Sequence, residues 1–181
     1  MSTMEKTRET ARLRLRPLVA SDLAAYQRLL ALPPMAAANG SPADASPELM
    51  ARWFEADRQS PFAFAVVDRT TDRFMGTILY YQHDESGEAP HEYDLGYFLD
   101  PMDWGQGLMP EALRASLTLV GQAIPAAQTV WAACLPTNQR SQRVLEKLGF
   151  QLVTTALPTP QHPALFKLVV TGEKKDAATD D

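Results

Sequence analysis

From Trp104 to Glu111 the chain reads Trp-Gly-Gln-Gly-Leu-Met-Pro-Glu, a glycine-x-glycine loop with a proline three residues after its second glycine. Gly105 and Gly107 can adopt positive φ and bare their backbone amides. Pro110 is preset for the first turn of a helix, where its missing N–H costs nothing. Exposed amides at the positive end of a helix dipole hold an anion, so the loop suits a phosphorylated cofactor. Two familiar phosphate loops are excluded. A P-loop needs Lys-Ser or Lys-Thr straight after its last glycine, and here Leu108-Met109 follows. A dinucleotide fingerprint needs a third glycine, where Pro110 stands, and an acid about 20 residues further on; no acid lies between Ala123 and Leu135. Taken alone, the two glycines fit a plain turn into a helix equally well. Cys134 is the single cysteine, which excludes an intramolecular disulfide and a cysteine-rich metal site.

The loop must be held by a strand before it and a helix behind it. Glu92 to Leu99 reads as that strand, ending at Asp100-Pro101, and Leu113, Leu117, Val120 and Ile124 give the following helix one apolar face, stopped by Pro125. Upstream, Arg12 to Leu18 alternates charged and apolar residues as a half-buried strand does. Ser21-Asp22 can cap a helix carrying Leu23, Tyr26, Leu29 and Leu30. Pro33 to Pro47, rich in Ala, Pro, Asn, Gly and Ser, reads as a loop, and Pro47 to Arg58 as a helix with Leu49, Trp53 and Phe54 as its stripe. Phe62 to Val67 and Phe74 to Tyr81 form a strand pair around the turn at 68–72, and Asp84 to Pro90 is a polar turn. Downstream come a fifth strand, Gln128 to Leu135, and a short helix with Val144, Leu145 and Leu148. Gly149 stands at the C′ position of that helix, with Phe150 folding back. Two further strands follow, Phe150 to Ala156 and Leu165 to Thr171. Strands four and five, joined through a helix, should be parallel neighbours and most other pairs antiparallel. The chemistry-bearing loop therefore sits at the crossover of an α+β sheet.

Composition limits the partners. The 181 residues are 45% hydrophobic and carry a net charge of −5, enough core for one domain and no basic run for nucleic acid or an anionic membrane. The polar N-terminus has no apolar signal core and no run approaches a membrane span. The expectation is a protein of a reducing, cytoplasmic compartment.

Four segments together resemble the GNAT family of N-acetyltransferases: Arg12-Leu-Arg-Leu-Arg-Pro-Leu18, Leu95-Gly-Tyr97, Trp104 to Leu113, and Asn138-Gln-Arg-Ser-Gln-Arg-Val-Leu-Glu-Lys-Leu-Gly-Phe150. The likeness is greatest to the ribosomal-protein N-terminal acetyltransferase (RimJ/RimL-like) branch and spermidine-type relatives. It implies one domain over 10–171, with flexible ends at 1–9 and 172–181, and a mixed, mostly antiparallel twisted sheet with flanking helices. Strands four and five splay apart in this fold, and acetyl-CoA enters the gap as a surrogate strand. The resemblance also implies that the amides of Gly105, Gln106, Gly107, Leu108 and Met109 cradle the pyrophosphate. Leu99, Trp104, Asn138, Ser141 and Arg143 complete the cofactor site, with Arg140 a further candidate for the 3′-phosphate. The acceptor is a primary amine, preferably a peptide or protein N-terminal α-amine; a polyamine, another small amine, or a CoA-binding module without catalysis are the alternatives. Either a monomer or a homodimer fits, and no metal is implied.

Acetyl transfer to an amine needs a neutral amine, a steadied oxyanion and a protonated leaving thiol. An α-amine with a pKa near 8 is partly neutral at physiological pH, whereas a lysine-type amine near 10.4 costs several kcal/mol, about 4 to 5, to deprotonate. Asp94 reads as base or ammonium anchor, or as an ordinary exposed strand acid; Glu92 points to the same face as a second candidate. His91 has a suitable intrinsic pKa but borders a loop, and His83 and His162 are weaker. Ser141 could protonate the departing thiolate or simply face solvent. A tyrosine common in this helix among family members is replaced by Leu145. Trp53, Tyr80, Tyr81 and Tyr97 read as core or sheet-face aromatics, and Cys134 as a small buried hydrophobe. The acceptor pocket falls to the helices of 22–58 and the loop 157–163.

Overall fold

The computed structural model describes residues 7–171 except 43, 85, 87, 125, 127, 154–157, 160 and 161. The expected flexible ends at 1–6 and 172–181, the Pro125 helix stop and part of the 157–163 loop lie outside the described residues. Eight strands form one sheet in the order β1-β2-β3-β4-β5-β6-β8-β7: β1 Arg8–Glu9, β2 Leu13–Pro17, β3 Phe62–Asp68, β4 Phe74–Gln82, β5 Glu92–Leu99, β6 Gln128–Cys134, β7 Gln151–Leu152 and β8 Ala164–Val170. Every pair is antiparallel except β5 with β6. The helices are α1 Leu23–Leu30, α2 Pro33–Asn39, α3 Pro47–Arg58, α4 Leu108–Ala123 and α5 Gln139–Lys147. This is the α+β architecture expected of the splayed-sheet fold.

Periodicity explains the layers. In β2, Leu13 and Leu15 are fully buried and alternate with half-buried Arg14 and Arg16. They face one core, shared with Phe64, Val66, Ile78 and Tyr80 beneath α4; Ala65, Val67, Leu79 and Phe98 face a second core beneath α1, α2 and α3. With helices on both faces, β4 is buried without a break from Phe74 to Tyr80, all apolar but for Thr77. Buried polar links join sheet to helix: Tyr80 meets Ser116 at 2.7 Å between hydroxyls, and the Gln128 amide donates to the Val120 carbonyl at 3.3 Å. β5 lies very close to β4: a Cβ on Gly76 would fall 2.0 Å from the Phe98 carbonyl oxygen.

Four local expectations change. The stretch 33–47 contains a helix, α2, because Pro33 and Pro34 occupy its first turn and Met35 and Ala36 are buried against the neighbouring core. Asp22 does not cap α1. Its buried carboxylate accepts from the Val19 amide at 3.0 Å and from both Arg16 guanidinium nitrogens at 2.8 Å, closing the turn ahead of the helix. Arg8 and Glu9, inside the stretch expected to be flexible, pair with Leu15 and Arg14. The helix at Pro47–Arg58 has Ser46 as its side-chain cap, and its core stripe is Met50, Phe54 and Asp57 rather than Leu49 and Trp53. α5 ends as its sequence predicts. Gly149, at φ 86°, allows Phe150 N–H to reach the Leu145 carbonyl at 3.1 Å and Gly149 N–H the Glu146 carbonyl at 3.0 Å.

Candidate active site

The β5–β6 ladder is short: only Glu92, Tyr93 and Asp94 pair with Thr129, Val130 and Trp131. Beyond Asp94 the strands part, while β5 stays bound to β4 as far as Leu99. The His91 carbonyl accepts from Thr129 on β6, and the ladder runs to the Asp94–Trp131 pair, so by two-residue alternation the Leu95 carbonyl and both backbone groups of Tyr97 face the open gap. The Leu99 carbonyl is taken by the Trp104 indole N–H at 2.8 Å.

A cleft of about 390 Å³ fills the gap. Its floor is Leu99, Trp104, Gly105, Gly107, Leu108 and Met109. Gly107, at φ 73°, is the residue from which α4 starts, so the first-turn amides that follow it have no partner within the helix. Gln106 is outside this lining; its carbonyl accepts from the Arg12 guanidinium at 2.9 Å. Arg12 also bonds the Glu111 carboxylate at 2.8 Å, and Thr10 donates to the same carboxylate at 2.6 Å. The strand edge thus braces the loop from behind. The opposite rim is cationic, with Arg140, Arg143 and Lys147 of α5, and the Arg140 guanidinium lies 4.6 Å over the Trp104 ring.

Burial acts upward on the Glu111 carboxyl, but the hydrogen bonds from Thr10 and Arg12 prevail and hold its pKa below the usual glutamate range. A folded pKa below the unfolded one stabilises the protein above the unfolded value, and that stabilisation is lost as pH falls through the folded value. Glu111→Gln is therefore expected to lower Tm by about 3 °C at pH 7 and CoA affinity a few-fold. The Tm difference should shrink on acidification below about pH 4; melting curves at pH 7 and pH 3 check it, and a pH-independent difference would contradict the ionic brace.

α5 brings Ser141 to the same gap. Asn138 caps the helix, its carbonyl oxygen accepting from Ser141 N–H at 3.1 Å, and its amide donates to the Ala38 carbonyl of α2 at 3.0 Å. The Ser141 Oγ is 2.6 Å from the Tyr97 hydroxyl. Burial drives the Tyr97 pKa well up, although the Ser141 bond opposes it, so the phenol keeps its proton across the physiological range. When Tyr97 donates, the Ser141 proton is free to point into the cleft. Leu145 is fully buried.

On the far side of Tyr97, Phe98, Asn138 and Ser141 opens a second cleft of about 440 Å³, walled by α1, α2, α3 and the β4–β5 face. Among the described residues its one charged lining residue is Asp57, whose oxygens accept from the Tyr26 and Tyr81 hydroxyls, each at 2.6 Å. Asp57 is not among the candidates the sequence offers; its signal there is an acid in register with Met50 and Phe54 on a helix stripe otherwise apolar. Tyr97 and Tyr81, expected as packing residues, line the cleft as well.

Asp94 and Glu92 share one sheet face, as expected, but neither lines either cleft. Asp94 pairs with His83 at 2.9 Å, and Glu92 accepts from the Trp131 indole at 2.6 Å. His83 stacks on that indole with ring centroids 5.4 Å apart. Asp94 precedes Tyr97 by three residues, about 10 Å along the strand. His91 is exposed, and His162 hydrogen-bonds Thr159. Cys134 is buried and lines the second cleft. Among the described residues no His, Cys, Asp and Glu cluster could hold a metal, and no helix is long and apolar enough to cross a membrane.

The model of the Acetyltransferase (GNAT) domain matches residues 12–151. The chain belongs to the GNAT acetyltransferase family. A probable N-acetyltransferase, YjcK of Bacillus subtilis (strain 168), is 31% identical over 94 residues, covering 52% of this chain and 50% of that protein; the GNAT chain thus matches about half the length of that curated relative. Among solved structures, a ribosomal-protein-S5-alanine acetyltransferase from Vibrio fischeri superposes with a TM-score of 0.70 at 22% identity, covering 91% of this chain and 96% of that one. A spermidine N-acetyltransferase from Vibrio cholerae, solved with CoA and spermine, gives 0.71 at 12% identity, covering 89% and 97%. At such identities these likenesses establish the GNAT fold and leave the acceptor open.

Proposed function

We propose that this GNAT domain transfers an acetyl group from acetyl-CoA to a primary amine. One observation carries the reading: two clefts of opposite character meet at a common wall of Tyr97, Phe98, Asn138 and Ser141. The first has helix-terminal amides and three cations, which fit a diphosphate and a 3′-phosphate. The backbone edge left free from the Leu95 carbonyl to Tyr97 fits an extended amide-bearing arm. The second has aromatic walls and a lone acid, which fit a cation.

In this assignment Gly105, Gly107, Leu108 and Met109 hold the pyrophosphate, Leu99 and Trp104 shape its entrance, and Arg140, Arg143 and Lys147 meet the remaining phosphate. Asn138 fixes the start of α5 beside the pantetheine arm. Acetyl-CoA supplies the activated thioester. Ser141 Oγ places a proton where the thiol leaves, and the Tyr97 hydroxyl behind it orients that proton. Asp94 and Glu92, committed to His83 and Trp131, are given no part at the reacting centre.

The acceptor of choice is a peptide or protein N-terminal α-amine. Among the described residues the second cleft offers no base stronger than a carboxylate, which suits an amine of pKa near 8 better than one near 10.4. The resemblance to ribosomal-protein acetyltransferases points the same way, and polyamines are the second choice because spermidine-type neighbours share the fold. Acetyl-CoA turnover followed by CoA release, with hexapeptides of varied first residue and with spermidine, tests the assignment. Acetyl-CoA binding without release on any acceptor would make the domain a CoA-binding module.

A further inference from the structure

We propose that Asp57, clamped by Tyr26 and Tyr81 at the wall of the second cleft, reads the positive charge of the acceptor and so restricts this protein to cationic amines. The inference rests on the acetyltransferase reading above. Asp57 is 7% exposed, and burial raises its carboxyl pKa against the pull of the two phenol bonds. Stability alone does not explain it. Carboxylates are expensive to desolvate, and an apolar residue of similar volume in such a position is commonly as stable or more so. The surrounding residues nevertheless build the site with care. Tyr26 is fixed by edge-to-face packing on Phe54 and Phe98, with centroids 5.1 and 5.5 Å apart. Tyr81 leans across the sheet over Gly96, where a Cβ would already lie 3.3 Å from its ring.

Two phenols occupy one acceptor site on each carboxylate oxygen, and a carboxylate offers about four in all. Unused capacity therefore remains on the one charged group among the described residues that line the cleft. Trp53, Tyr26, Tyr81 and Tyr97 line the same cleft, and aromatic faces attract a cation further. A carboxylate in an aromatic box accepts an ammonium on a slender stem and rejects an anion or an uncharged alcohol.

The test compares wild type with Asp57→Asn, which keeps the size and removes the charge; its amide oxygen can accept from one tyrosine while its amide nitrogen donates to the other. Acetyl-CoA affinity is measured by calorimetry. Acceptor KM and kcat are measured by CoA release with twenty hexapeptides differing in their first residue, and with spermidine. The expected result is a tenfold or greater rise in acceptor KM with acetyl-CoA affinity and Tm held near wild type. Tyr81→Phe, which keeps the charge but frees one oxygen, is expected to raise acceptor KM about threefold, and it decides the matter if Asp57→Asn does not fold. An acceptor KM unchanged in the folded variants, with wild type turning over, overturns the inference alone. A wild type that binds acetyl-CoA but releases CoA with none of these amines, or that fails to bind acetyl-CoA at all, overturns the acetyltransferase reading and the inference with it.

Discussion

Gly107→Asp is expected to give a folded protein with CoA affinity reduced at least about 100-fold, measured by calorimetry. Gly107 has φ 73° and opens α4, and a Cβ there would meet only the Arg12 guanidinium, 3.8 Å away. Space is therefore not the obstacle. Left-handed backbone costs an aspartate about 1 kcal/mol, a modest strain at a helix start. The decisive effect is charge. A carboxylate about 4 Å from a phosphate is repelled by about 1 kcal/mol in water and about 4 kcal/mol in a partly excluded site, and a diphosphate presents more than one charge. A 100-fold loss corresponds to about 2.7 kcal/mol, inside that range. Gly107→Asn provides the control: asparagine tolerates the same backbone without charge, so it should lose less than about tenfold. Equal affinity for wild type and a folded Gly107→Asp protein would remove the pyrophosphate assignment.

Ser141→Ala is expected to lower kcat by about 100-fold, with acetyl-CoA affinity within about threefold of wild type. The serine caps nothing; it receives its place from Asn138 and touches Tyr97 at 2.6 Å, so its removal leaves α5 intact. Tyr97→Phe should lower kcat about tenfold, because the serine proton then loses its orientation. The double variant should be no slower than Ser141→Ala, since two groups acting through one proton are not additive. Stopped-flow release of CoA and binding isotherms separate the effects. Equal losses in turnover and acetyl-CoA binding would make Ser141 a binding residue only.

The sequence carried much of this architecture because the relevant signals are local. Alternation in Arg12 to Leu18, Pro47 at the head of α3, and Gly149-Phe150 each mark a boundary through contacts a few residues apart. α2 escaped because its Ala- and Pro-rich composition resembles a loop until Met35 finds its core. The placement of β8 between β6 and β7 depends on pairings between distant segments that periodicity does not encode. Within the site, the glycine loop and α5 were legible as motifs. Asp57 was not, since its significance comes from Tyr26 and Tyr81, 31 and 24 residues away. Asp94 shows the reverse: a suitable residue type on the right strand, drawn to His83 three residues short of Tyr97.

The contact at Gly76 has a mechanical consequence. With the Phe98 carbonyl oxygen 2.0 Å from where a side chain would begin, β5 is seated on β4 along the very stretch that borders the gap, like a fixed door jamb. β6 meets it through three residue pairs and then diverges. The side of the gap that β4 does not hold is the β6–α5 leaf, and with it Ser141, Arg140 and Arg143, while the glycine loop stands on the fixed side at the end of β5.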